Sequence, residues 1–324
     1  MTHDDAILAA TARRPTGAAL LPGLNPGTRR LLWRRFLRHR LAVAGGIVLL
    51  ALAALTLAAP LVEAALGLDA AAVDLLARYR PPSAAHPLGT DELGRDLLLR
   101  LLQGGRVSLG LGLLVAFAAA GIGTVVGLAA GYFGGRLDAL LMRLTDGVIA
   151  LPLLPLLIVL AAIDPAKLGL PEALAQAPEF SFYRMAAIIA LIGWTTVARL
   201  VRGATLSIRE REFVRAAIAL GAGPARIMAV HILPNVVSPI VVATTLSVGN
   251  IILLESVLSF LGLGIQPPLP SWGNMLTNAQ ELIWAAPALA VWPGLMIFAT
   301  VIAFNFLGDG LQDALDPRAI AGRR

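Results

Sequence analysis

The chain has 324 residues, 57% of them hydrophobic and only 14% charged, whereas a soluble domain carries nearer a quarter charged residues. That composition excludes an ordinary soluble globular protein and reads as an all-α, multi-span membrane chain. The absence of cysteine excludes disulfides, thiolate catalysis and cysteine-based zinc sites, and the net charge of +6, nearly all arginine placed beside apolar runs, fits the positive-inside rule better than nucleic-acid binding.

The leader carries RRLLWRRFLRHR over 29–40, with Leu32, Trp33, Phe36 and Leu37 at helical spacing. This predicts an amphipathic helix lying in the membrane interface beside anionic headgroups; a basic flank without regular structure is the alternative. The first apolar run starts near Leu41, too late for a cleavable signal peptide, so it reads as a retained span.

Six spans are predicted: 41–60, one within 107–135, 140–163, 185–198 (short unless it continues past Arg199), 236–261 and 287–308. Each approaches the ~20 apolar residues that cross about 30 Å of hydrocarbon. Pro152, Pro155, Pro287 and Pro293 would kink or end helices. No period-2 alternation bounded by turns supports a β-barrel. Six spans place both termini on one side. With that side inside, 19 of the 26 basic residues fall in inside segments and 7 outside, so both termini are expected to be cytoplasmic. Residues 61–106, 164–184 and 262–286 become outside loops, the last with a short helix near Trp272 to Trp284.

Enzyme chemistry finds little support. The only lysine, Lys167, sits in DPAKLG, so no Walker A sequence exists. His3, His39, His86 and His231 all lie outside the apolar runs, and there is no HExxH. GIGTVVG, 121–127, misses the dinucleotide fingerprint by one residue and lies in mid-span. Gly123, Gly127 and Gly131 instead recur every fourth position, which suits a small-residue helix-packing face; a simple Ala/Gly bias is the alternative. Arg143 and Asp146, three apart, are expected to pair on one face of the third span. Glu255, the only charge between 232 and 280, either lines a polar path or accepts hydrogen bonds from a neighbouring helix. These residues are the candidates for a pathway or for helix packing, and no metal site is expected.

The stretch FVRAAIALGAGPARIMAVHILPN, 213–235, separates two spans. Phe213, Ala216, Ala217 and Leu220 fall on one helical face. Gly221 and Gly223 suit a helix end, Pro224 a new start, and Pro234 an interruption before the next span. Two short helices joined by a sharp turn are therefore predicted, with Phe213 as an aromatic knob. The knob either fills a groove in another protein or packs against its own spans.

This stretch resembles the EAA loop of ABC importer permeases: Glu-Ala-Ala, three residues, Gly, then nine residues before an Ile-x-Leu-Pro-like end. Ala216, Ala217, Gly221, Leu233 and Pro234 match in register, while Arg215 stands where the pattern has glutamate and His231 where it has isoleucine. HPLGTDELGRDLLLRLLQGGRVSLGLG (86–112), RLDALLMRLTDGVIALP (136–152), ESVLSFLGLGIQPPLPSWGNML (255–276) and LGDGLQDALDPR (307–318) are similar to the C-type permease of the dipeptide/oligopeptide/nickel family. Together these segments cover most of 86–318.

The resemblance implies an ABC importer permease fold organised as a leader over 1–40, a first span and outside loop over 41–103, a permease core over 104–313 with its coupling loop at 209–235, and a cytoplasmic tail over 314–324. It implies a subunit of an ATP-driven, binding-protein-dependent importer in the bacterial inner membrane, carrying di- or oligopeptides or a related small solute by alternating access. The implied partners are a second homologous permease, two cytoplasmic ATPases that hold the ATP and Mg, an extracytoplasmic solute-binding protein and membrane lipid; nucleic acid is not among them. The chain itself is expected to hold no cofactor. Glu212, Phe213, Arg215, Ala216, Ala217, Leu220, Gly221 and Pro234 become the ATPase-coupling residues. An ion-gradient-driven secondary transporter and a membrane scaffold are the alternatives; sparse intramembrane charge argues against the first.

Overall fold

The computed structural model describes residues 26–315 except 170, 172, 174–176, 178 and 278. The first 25 residues of the expected leader and residues 316–324 of the expected tail lie outside the described residues. Among the described residues there are no strands, only an isolated bridge between Thr90 and Asp96.

The amphipathic segment forms α1 (Pro26–Arg38). His39 breaks it at φ −81°, ψ 89°, and its Nδ1 accepts the Ala42 amide at 3.1 Å, capping α2 (Arg40–Leu57). The short α3 (Ala59–Leu66) ends at the left-handed Gly67.

Next, 69–96 folds into a knot of polar contacts. Asp91 accepts the amides of Leu93 and Arg95 and meets the guanidinium groups of Arg95 and Arg100. Asp96 bonds His86 at 3.0 Å and caps α4 (Leu97–Phe133) by accepting the Leu99 amide at 2.8 Å. That cap starts α4 ten residues before the predicted span, so Arg100 and Arg106 belong to the helix. At 37 residues it is about 55 Å long, well over the bilayer core.

The third predicted span is corrected. It divides into α5 (Gly135–Ala150) and α6 (Leu153–Ala162), which meet at 87°. Leu151 is forced into an extended conformation (ψ 137°) by Pro152, whose ring clashes with a helical predecessor. The ten residues of α6 rise about 15 Å, half a bilayer. Among the described residues, five helices are long and apolar enough to cross, and the bent pair makes six if it crosses as one.

The short fourth span does continue: α7 runs Phe180–Arg209, past Arg199 and Arg202. After α8 (Glu212–Ala219), α9 spans Pro224–Phe260 without interruption. Pro234 does not end it as expected. A π segment, Ile227–Ile232, widens the turn just before the proline, and the Leu233 amide reaches back five residues to Met228 O. A wider turn absorbs the hydrogen bond that proline cannot donate. The loop after α9 holds a 3₁₀ turn at Asn274–Leu276 and a four-residue helix at Ala279–Leu282, where a short helix was predicted. α10 (Ala288–Leu315) closes the described chain.

The main apolar core lies where α4, α6, α7, α9 and α10 meet, around Leu111, Leu157, Met185, Ile252 and Phe304. The longest helix contact is α4 against α7, and glycine makes it possible. A Cβ on Gly123 would lie 2.6 Å from Trp194 O, one on Gly127 2.6 Å from Ala198 O, and one on Gly131 2.6 Å from the Thr205 Cβ. The every-fourth-residue glycines are thus a packing stripe, letting one backbone approach the other. Gly127→Leu should lower stability by about 1–3 kcal/mol or more through overpacking. Gly121→Ala, on a side of α4 with nothing within 4 Å, should be neutral or stabilise by up to ~1 kcal/mol. Thermal unfolding in mild detergent separates the two; equal effects would remove the stripe.

Candidate functional site

The segment between α7 and α9 is a short helix on an apolar seat. Arg211 turns the chain in an extended conformation, and α8 begins at Glu212. Its inner side carries Val214, 0% exposed, and Ala217, 8% exposed. Val214 belongs to an apolar cluster with Ile227, Ile232 and Val236 of α9, Val197 and Val201 of α7 and Leu128 of α4. The outer side carries Phe213, Ala216 and Leu220, the last 88% exposed. The predicted four-residue face is therefore split, with Ala217 turned toward the protein beside Val214. Gly221 ends α8 at φ +81°, a left-handed position that favours glycine, and its amide donates to Ile218 O at 2.9 Å.

Arg215, in the motif's glutamate position, finds a carboxylate within the loop. Its Nη2 donates to Glu210 at 2.8 Å, and Arg209 reaches the other Glu210 oxygen at 3.3 Å. The Arg215 guanidinium, with Arg209 second, holds the Glu210 carboxyl below the usual range. Arg209 also donates to Gly131 O and Tyr132 O, carbonyls of the last turn of α4, where a cation is favoured. Glu212 and Pro234 lie on the same segment, at the start of α8 and at the end of the π segment.

Arg143 and Asp146 do not form the expected pair. Asp146 pairs with Arg199 of α7, and Arg143 is exposed. A second bridge, Asp138 to Arg202 with both carboxylate oxygens engaged, joins the same two helices. The sequence reading missed this pair, whose members are 64 residues apart. The signal was Arg199 and Arg202 on one α7 face, matched by acids on α5.

Of the two readings of Glu255, the structure favours hydrogen bonding. The residue is fully buried and lies among serine hydroxyls: Ser259 donates at 2.6 Å, Ser271 at 2.8 Å and Ser108 at 3.4 Å. The same hydroxyls accept amides from Ile265, Asn274 and Trp272. Trp272, wholly buried, also donates its ring N–H to Leu101 O. One carboxyl thus ties α9 to α4 and to the loop after α9. Gly123, Gly127 and Gly131 sit in the α4–α7 contact.

A groove of about 1060 Å³ opens between the α5–α6 bend, α7, α9 and the end of α10. Aliphatic side chains make up most of its wall, with Thr196, Asn235, Ser238, Ser247 and Asn250 among the polar groups. No group of three or more metal-ligating side chains occurs among the described residues.

Glu255→Ala leaves three buried hydroxyls without an acceptor and should cost about 1–3 kcal/mol for each donor that finds no other partner. Glu255→Gln, which keeps one acceptor oxygen, should cost less; equal thermal midpoints for both variants and the parent would remove the serine nest as a structural element. At Glu210 the depressed carboxyl contributes stability above the ordinary value of about 4.3, and that contribution is lost as pH falls through the folded-state value. Arg215→Ala should move the Glu210 titration upward in carboxyl NMR; an unmoved midpoint would assign the effect to Arg209 alone.

Comparison with known proteins agrees with this architecture. A family described as the binding-protein-dependent transport system inner membrane component matches residues 123–321, and the N-terminal TM domain of oligopeptide transport permease C matches residues 28–82. A glutathione transport system permease protein, GsiD, from Pectobacterium atrosepticum is 39% identical over 94% of this chain and 98% of its own length. The dipeptide transport system permease protein DppC of Alkalihalophilus pseudofirmus is 38% identical over 89% of this chain and 90% of its own. The oligopeptide transport system permease protein OppC of Haemophilus influenzae is 37% identical over 89% of each chain. With its helix set and these matches, the chain belongs to the inner-membrane permease family of binding-protein-dependent ABC importers, as a multi-pass permease subunit of the C type.

Proposed function

We propose that this permease carries small peptides, with α8 as the contact through which a cytoplasmic ATPase drives it. The relatives' names, for dipeptide, oligopeptide and glutathione transport, support the substrate class. The observation that supports the coupling role is the division of α8 itself. Phe213, Ala216 and Leu220 face outward, while Val214 and Ala217 are buried and α8 rests on α7 and on the start of α9. A push on the outer side is passed through this buried side to α7 and α9. The bent α5–α6 pair crosses as one span in this reading, which places both termini in the cytoplasm as the arginine distribution favours.

The partners are a second homologous permease, two ATPases holding ATP and Mg, and an extracytoplasmic solute-binding protein. The groove beside Asn250 and Ser247 faces the second permease and forms part of the path. ATP binding closes the ATPases, moves α8, and tilts the connected spans so that the path opens outward by alternating access.

The cysteine-free background makes the test direct. In the copurified complex, single cysteines at Ala216 or Leu220 should crosslink to an ATPase. Cysteines at Ala217, turned inward, and at Ala18 should not. Equal labelling at all four would remove the docking face. Gly221→Pro, which cannot adopt a positive φ and lacks the amide bonded to Ile218, should leave the chain in the membrane with ATP hydrolysis uncoupled from dipeptide uptake in proteoliposomes. Unchanged uptake at equal expression would refute the coupling role. Uptake driven by an ion gradient with no ATPase present would instead support a secondary transporter.

A further inference from the structure

We infer that α1 is a binding site for anionic phospholipid headgroups. Apart from the half-buried Arg35, the described side chains of this helix sort into three strips. Leu32 and Phe36 are half-buried on the side toward the protein, and α1 rests on α10 and on the start of α2. The free side is divided. Trp33 and Leu37, 62% and 49% exposed, form an apolar strip that Leu41, at 53%, continues beyond the break. Beside it Arg30, Arg34 and Arg38, each four residues from the next, form an exposed basic strip. None of these three arginines makes an ion pair with another described residue.

Two features commit the surface to lipid. The first is position. Only His39 separates α1 from the membrane-spanning α2, and the His39 ring is held twice, by the Ala42 amide and by Asp313 of α10 at 3.6 Å. The helix is therefore kept at the level where a span leaves the bilayer. The second is the pairing of strips. An exposed tryptophan beside unpaired arginines matches the boundary between acyl chains and phosphates, where an indole sits with its body in hydrocarbon and guanidinium groups reach the phosphodiester oxygens. A soluble anion would satisfy the basic strip and leave Trp33, Leu37 and Leu41 in water.

The purified complex carries the test, with lipid retention read by native mass spectrometry against phosphatidylglycerol and phosphatidylcholine. Each arginine near an anionic surface is worth roughly fivefold in affinity. The parent should prefer phosphatidylglycerol, and the triple variant R30Q/R34Q/R38Q should lose that preference by on the order of 100-fold. R30K/R34K/R38K, which keeps the charge, should retain most of it, which separates lost binding from lost folding. Trp33→Ser should weaken both lipids alike. Equal retention of the two lipids by the parent, or a preference that survives R30Q/R34Q/R38Q, would overturn the site. Displacement of phosphatidylglycerol by low millimolar inorganic pyrophosphate would also overturn it, in favour of a soluble phosphate ligand. So would protection of Trp33 and Leu37 by an ATPase subunit.

Discussion

The close approach of α4 and α7 is the constraint on which the other contacts rest. Their backbones meet where Gly123, Gly127 and Gly131 leave no room for a side chain. In hydrocarbon there is little hydrophobic gain from joining two apolar helices, so the attraction must come from close packing and from polar contacts. The glycine stripe supplies the first. It also fixes the rotation of α7, and with it the direction in which Arg199, Arg202 and Arg209 point. Arg209 then reaches the last carbonyls of α4, and Arg199 and Arg202 reach the acids of α5. The apolar seat under α8 uses residues of both helices, Leu128 and Val201 among them.

Charge in this chain works mainly as a fastener between elements. Asp138 and Asp146 hold α5 to α7, Asp91 closes the knot before α4, and Glu210 stiffens the turn into α8. Each is paired with arginine, whose planar fork engages a carboxylate at two points and stays charged at all relevant pH. Glu255 is different. It has hydroxyl partners only, and three separate segments converge on it.

Much of this was legible in the sequence, and the limits have physical reasons. Apolar length located the spans, because the bilayer imposes a minimum on each. Glycine every fourth residue pointed to a close helix-packing face, though not to α7 as its partner, and the Phe213–Pro224 pattern pointed to a short helix and a turn. What depends on partners far along the chain was not legible. Arg143 and Asp146 have the spacing of an intrahelical pair, yet Asp146 finds Arg199, 53 residues away. Ala217 shares a periodic face with Phe213, yet the seat under α8 draws it inward. Pro152 produced a sharp bend while Pro234 produced none, since a π turn could form before the second and the chain simply became extended before the first. Local rules name the residue at which a helix is in difficulty, and the packing around it decides the outcome.

The π segment has a mechanical consequence. Because it absorbs Pro234 within one continuous helix, α9 runs from Pro224, beside α8, to Phe260, just past Glu255. Its 37 residues make a rod about 55 Å long. One end shares the Ile227 and Ile232 seat with α8, and the other is bonded through Glu255 to the loop that holds Trp272. A single piece of secondary structure thereby joins the apolar seat of α8 to the serine nest around Glu255, without an intervening loop.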